Sequence, residues 1–245
     1  MKVGEDIKDM IRKDISLCEI NRKTGIAKST LYHHYKKIKG RKYKLVQISE
    51  EDKEKIGEFM GVFAGDGNYY FDKNKYQYKI RIYSGYYEGE YANHLKNFLT
   101  ELFSKIPRVY SSSKSRVIVT EYYSKDIYYL IQKYLVWGDN KTKTVRLREI
   151  QSLDKSFLIG FLRGLFDTDG GIHKPKNKVA FGTASEKLAY QIKDILSLLG
   201  MKPGFYKYKN KDFWYIDIYG KRTDRFMMLI RPNNPNKIIN RLTQL

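Results

Sequence analysis

Two aspartates, Asp66 and Asp169, each followed by glycine, close two copies of one nine-residue pattern, FMGVFAGDG (Phe59–Gly67) and LRGLFDTDG (Leu162–Gly170). The copies keep a constant offset of 103 residues, which aligns Gly57 with Gly160, Gly61 with Gly164, Phe63 with Phe166 and Asp66 with Asp169. A carboxylate at the C-terminal end of a helix faces the negative end of the helix dipole, and two brought together repel each other. A divalent cation held by oxygen ligands relieves both conflicts, with the backbone carbonyls of Gly65 and Thr168 as further ligands. Two acids around one or two metal ions, on a basic body, suit phosphodiester hydrolysis. A single Asp-Gly reads more simply as helix closure into a turn. Two in register, each behind a run of spaced glycines, ask for more than a turn.

Those glycines indicate how the acids are positioned. Gly57, Gly61 and Gly65 recur every four residues, and Gly160, Gly164 and Thr168 repeat the spacing. A glycine inside a helix costs on the order of 1 kcal/mol relative to alanine. Spacing of four keeps the glycines on one face, where two helix backbones can approach closely. The expectation is a pair of helices packed glycine stripe to glycine stripe, with Asp66 and Asp169 meeting at one end. Phe59, Val62 and Phe63 would fill the core of one half, and Leu162, Leu165 and Phe166 that of the other.

The rest of the chain divides to match. Residues 49–137 and 153–245 each read α-β-β-α-β-β-α, provided the segment after each motif supplies a strand, and residues 138–152 are a polar, basic connector. The fold class expected is α+β, with two pseudo-symmetric subdomains whose antiparallel sheets form a saddle. In KYQYKIRIY, Tyr76, Tyr78, Ile80 and Ile82 share one face, while Lys75, Gln77, Lys79, Arg81 and Tyr83 share the other. Helices can cover the first face and leave the second open, where Lys and Arg suit guanine edges and phosphates and Gln suits adenine. Arg116 and Thr120 in the first half, with Lys176, Lys178, Lys207 and Lys209 in the second, extend the set of candidate nucleic-acid contacts.

Residues 1–45 precede these halves. Leu17, Ile20, Ile26, Leu31 and Tyr35 are spaced for helices, with Gly25 between them where a left-handed turn residue is wanted. The spacing resembles a helix-turn-helix, with Leu17–Lys23 as first helix and Lys28–Ile38 as recognition helix. Lys28, Ser29, Tyr32, His33 and Lys36 would face a DNA groove or its phosphates. Lys39–Lys44 is a basic linker able to track a phosphate backbone.

Bulk composition agrees. The 245 residues carry 47 Lys+Arg against 27 Asp+Glu, a formal net charge of +20, so a polyanion is the expected partner. Twenty-two tyrosines add stacking and phosphate hydrogen bonding. A single cysteine, Cys18, excludes a disulfide framework and a cysteine-based zinc site. A charged N-terminus and the lack of any apolar run near the roughly 18 residues of a membrane span make the expectation a soluble, intracellular, cytoplasmic protein.

The paired motifs resemble the LAGLIDADG family of homing endonucleases in its single-chain, two-motif form. The second copy matches six of nine letters, Leu162, Gly164, Leu165, Asp167, Asp169 and Gly170; the first matches at Gly61, Asp66 and Gly67 and carries Ala64 where the consensus has its first Asp. The resemblance covers about residues 50–245 and leaves the N-terminal module outside. It implies a monomer seated in the DNA major groove, with Asp66 and Asp169 binding Mg²⁺ or Mn²⁺ (Ca²⁺ occupying the site without supporting cleavage) and activating water. The strands would be cut across the minor groove of a long asymmetric target to leave 3′ overhangs, as in intron homing. Basic residues near the metals are implied too, and Lys174, Lys178, Lys79, Arg81 and His173 are the candidates by position. Two other readings use the same scaffold: a non-cleaving DNA-binding regulator, and an RNA maturase whose partner is intron RNA.

Overall fold

The computed structural model describes residues 4–40, 46–49, 51–74, 76–112 and 115–237. The chain divides into two units, Met1–Leu45 and Val46–Leu245. Within the first lie α1 (Glu5–Arg12), α2 (Leu17–Thr24) and α3 (Lys28–Lys39). Ser16 caps α2 by accepting from the Glu19 amide at 3.2 Å. Gly25 ends that helix at φ 69°, the left-handed turn its position called for. Ile7, Ile11, Ile20 and Leu31 form the core of this unit, with Leu17, Ile26 and Tyr35 packed against it. The basic linker expected at Lys39–Lys44 falls mostly outside the described residues.

The second unit repeats one topology. Its first half runs α4 (Lys53–Asp66), β1 (Gly67–Asp72), β2 (Gln77–Gly85), α5 (Gly89–Phe103), β3 (Arg108–Ser112), β4 (Val117–Tyr123) and α6 (Lys125–Tyr134). A connection follows in which the short strands β5 (Leu135–Val136) and β6 (Arg146–Leu147) flank the single-turn helix α7 (Lys141–Thr144). The second half runs α8 (Lys155–Asp169), β7 (Gly170–His173), β8 (Lys178–Thr183), α9 (Glu186–Leu198), β9 (Gly204–Lys207), β10 (Trp214–Tyr219) and α10 (Lys221–Ile230). Both four-stranded sheets are antiparallel, in the orders β1-β2-β4-β3 and β7-β8-β10-β9. The fold is α+β, built twice. No helix among the described residues is long and apolar enough to cross a membrane.

Helices α4 and α8 meet backbone to backbone. A Cβ added at Gly57 would fall on the carbonyl oxygen of Phe157, and one at Gly61 on that of Phe161. Gly160 and Gly164 stand in the same way against the carbonyls of Glu54 and Glu58. The larger apolar residues turn away from this seam. Phe59, Val62 and Phe63, and Leu162, Leu165 and Phe166, are all buried in a core that runs through both halves.

One buried polar cluster crosses the seam. Arg163 of α8 donates from Nη1 to Glu58 Oε2 at 2.9 Å and from Nη2 to Glu54, both on α4, while its Nε donates to the Ile230 carbonyl at 2.6 Å. The three donors are satisfied together, which a buried guanidinium needs.

The sheet faces follow strand parity. Ile80 and Ile82 face the helices, and Lys79, Arg81 and Tyr83 lie on the open side, as the alternation implies. Lys75 falls outside the described residues, and β2 begins after Tyr76, whose φ of 51° places it in the preceding turn. Two expectations need correction. Thr120 pairs with Ile82 and Val109 on the helix side and is 2% exposed, so the register buries it away from any ligand. Arg116 is no strand residue: at φ 49° it forms the turn ahead of β4.

Candidate active site and nucleic-acid interface

Asp66 and Asp169 are the last residues of α4 and α8, and the glycine seam brings those ends together. A Cβ at Gly65 would fall on the Thr168 hydroxyl and lie 3.2 Å from Asp169 Oδ2. Both aspartates line one open cleft of about 570 Å³, with Gly65, Gly170, Gly171 and Ala180 in its wall. Burial pushes the Asp66 carboxyl up to about 6, with the negative charges of Asp169 and Glu88 adding to it and Lys141 and Lys237 opposing. Burial raises Asp169 as well, against the same two lysines. The junction therefore holds two carboxylates in surroundings that resist their charge.

Two lysines supply the compensation, and sequence reasoning missed both. Lys141, at the start of α7, donates to the carbonyls of Gly65 and Gly67 at 2.9 and 2.5 Å. Lys237 donates to the carbonyls of Thr168 and Gly170 at 2.8 and 2.5 Å. Each ammonium thus binds the same two carbonyls of a motif, one in the last turn of the helix and one on the glycine that follows it. Burial brings Lys141 down to about 8, with Asp169 and Asp66 opposing. The loop that leads to Lys237 is fixed by Asp167, whose carboxylate accepts from the amides of Asn233 and Asn234 at 3.0 Å. Ala64 stands at the matching place in α4, so the first half has no such anchor.

Of the basic residues expected at the site, Lys79, Arg81, Lys178 and His173 sit on the sheets and none of these four lines the cleft. Lys79 pairs with Asp72 at 3.5 Å and Arg81 with Glu121 at 2.6 Å, both out on the first sheet. Lys178 pairs with Asp217 at 3.3 Å, and exposed His173 is its cross-strand neighbour on the second sheet. Lys174 lies in a short turn and its side chain is outside the described residues. The carbonyls of Gly65 and Thr168, expected as metal ligands, already have lysine partners. Among the described residues no three His, Cys, Asp or Glu side chains are grouped to hold a metal ion. Two carboxylates alone still fit Mg²⁺, which is commonly held by one or two carboxylates together with substrate phosphates and water.

The other expected contacts sort by face. Gln77, Lys79, Arg81 and Tyr83 share the open side of the first sheet. Lys176 and Lys209 are exposed in turns, while Lys207 sits on the helix-side parity, bound to Asp212 at 2.9 Å and lying over the Trp214 ring. On α3 of the first unit, Lys28, Ser29, Tyr32, His33 and Lys36 are all exposed, while Leu31 is buried.

Residues 156–227 match the family model described as LAGLIDADG-like domain. The uncharacterized protein MJ1054 of Methanocaldococcus jannaschii is 29% identical over 138 residues, 54% of this chain but only 15% of that protein. MJ0398 of the same organism, also uncharacterized, is 27% identical over 84% of this chain and 77% of its own length. Among solved structures, I-DmoI in complex with DNA and Mn shares the fold at a TM-score of 0.60 and 16% identity, over 74% of this chain and 97% of that one. The N-terminal LAGLIDADG domain of DUF199/WhiA matches at a TM-score of 0.50 and 15% identity, over 78% of this chain and 89% of that one. Family match, doubled motif and shared fold agree: the chain is similar to LAGLIDADG proteins, with the family's domain matched over residues 156–227.

Proposed function

We propose that the chain is a metal-dependent endonuclease of duplex DNA that binds a long asymmetric target on the open faces of its two sheets. The observation that carries this is the convergence of Asp66 and Asp169, each flanked by a lysine on its own helix end. I-DmoI, called a homing endonuclease and crystallised with DNA and Mn, with Mg or with Ca, supports both the substrate and the metal. Asp66 and Asp169 would hold the divalent ion, Mg²⁺ or Mn²⁺. Such an ion, when bound, neutralises charge on the scissile phosphate and makes its coordinated water more acidic. The protein's share is positioning: the two aspartates would hold the ion at the helix junction, and Lys141 and Lys237 set positive charge on either side of it. Products with 3′ overhangs, from cuts across the minor groove, belong to this reading. The three-helix unit adds contacts at one flank through α3.

The test is incubation of the full chain with target-bearing duplex and Mg²⁺, against Asp66→Asn and Asp169→Asn. Loss of strand cleavage in both variants, with duplex binding retained, is the expected result; unchanged cleavage in either defeats the proposal. A second reading, a DNA binder that does not cut, is favoured by the helix-turn-helix-like unit and by the fold shared with DUF199/WhiA. Sequence-selective binding without cleavage under Mg²⁺ or Mn²⁺ would decide for it.

A further inference from the structure

Each sheet carries one acid at the centre of its open face, and the two are almost inaccessible. Glu121 on β4 is 2% exposed and lies directly across from Arg81 on one side and Arg108 on the other. Arg81 Nε donates to Glu121 Oε2 at 2.6 Å, and Arg108 approaches Oε1 at 3.9 Å while its guanidinium lies over the Tyr110 ring. The second sheet repeats the acid but not its partner. Gly67 and Gly170 face Ile82 and Phe181, so the place of Arg81 is taken by Ala180, and that of Glu121 by Asp217. Asp217, 1% exposed, accepts from the Tyr206 hydroxyl at 2.5 Å, the Tyr219 hydroxyl at 2.9 Å and Lys178 at 3.3 Å.

An acid on a face that meets phosphates opposes binding, and burying it carries a desolvation penalty. Glu121 therefore weakens any purely electrostatic contact. What it contributes is direction. With Nε held by the carboxylate and Tyr83 beside the guanidinium, the Nη groups of Arg81 are the donors that remain for a base edge on this face. That pair matches the O6 and N7 acceptors of guanine in the major groove, whereas a phosphate contact needs no such orientation. Burial would raise the Glu121 carboxyl, but hydrogen bonds from Arg81 and Tyr123 and the charge of Arg108 bring it below its usual value. It stays ionised, as a fixed support must.

We infer that Arg81, oriented by Glu121 as a positioning residue, reads a guanine in one half of the target, and that the other half lacks this contact because Ala180 occupies the matching place. The inference rests on the open sheet faces being the DNA surface. It does not depend on cleavage.

Binding selection from a randomised duplex library, with the full chain in Ca²⁺ so that binding alone is read, tests it. The wild type should enrich one guanine about tenfold or more over the other bases at that position, a typical discrimination for a bidentate contact. Arg81→Gln, whose amide suits adenine, should abolish that guanine preference while leaving the other enriched positions in place. Glu121→Gln should relax it at the same position, and Glu121→Asp should restore part of it. A guanine preference that survives Arg81→Gln, or selection of no sequence at all, overturns the inference. So does a Glu121→Gln protein that loses affinity equally for every sequence. If Glu121→Gln fails to melt cooperatively, Arg81→Gln decides alone. Selected sites that are bound but never cut in Mg²⁺ remove the nuclease proposal and leave this one standing. Sites that are cut without any Arg81-dependent guanine do the reverse.

Discussion

Asp66 is where stability and chemistry conflict. Its folded pKa of about 6 lies above the ordinary 3.8, so without a bound cation the folded chain holds this proton more tightly than the unfolded chain. The contribution favours folding below about pH 4 and is lost as pH rises through 6. Asp66→Asn removes the buried charge and should raise stability at pH 7 by about 2 kcal/mol, read in urea melts of the metal-free protein. The gain should vanish near pH 4. Lys141→Met should leave the Gly65 and Gly67 carbonyls without their donor and cut the cleavage rate at least tenfold, with duplex affinity little changed. The aspartates were legible in the sequence because a helical repeat fixes where they fall. The lysines were not. Asn140-Lys141 and Asn236-Lys237 are two of five Asn-Lys dipeptides in the chain, and only the carbonyls they meet set them apart.

The glycine seam is the strictest requirement among the elements. Gly164→Ala would drive a Cβ into the Glu58 carbonyl, and a packed backbone has no rotamer to yield. The expected loss is about 3 kcal/mol or more by chemical denaturation. Gly171→Ala, with open space around it, should change stability by no more than about 0.5 kcal/mol. Spacing of four in both motifs made this packing readable in advance, since glycine's cost inside a helix needs a close approach to offset it. Strand parity was readable for β2 but not for β4. There the turn at Arg116 delays the strand by one residue, and a bare alternation of Val, Thr and Tyr gives no way to see which side faces the helices.

For the whole molecule, charge decides the character of binding. A formal net charge of +20 implies many phosphate contacts, so the logarithm of duplex affinity should fall linearly and steeply with that of salt concentration. Deleting Met1–Leu45 should make that slope shallower by roughly one unit for each phosphate the three helices neutralise, measured by fluorescence anisotropy on one duplex. The doubled αββαββα plan was plain from the repeat, because each half encodes the same order of periodicities. What the repeat concealed is how far the halves have diverged. Arg163 aligns with Met60, and its partners Glu54 and Glu58 align with Phe157 and Phe161. Two copies of the second half would bury a pair of guanidiniums against phenylalanine, and two copies of the first would strand four carboxylates with no counter-ion. The seam is thus complementary rather than repeated: each half supplies what the other lacks, and the contacts that close it cannot be rebuilt from two copies of either one.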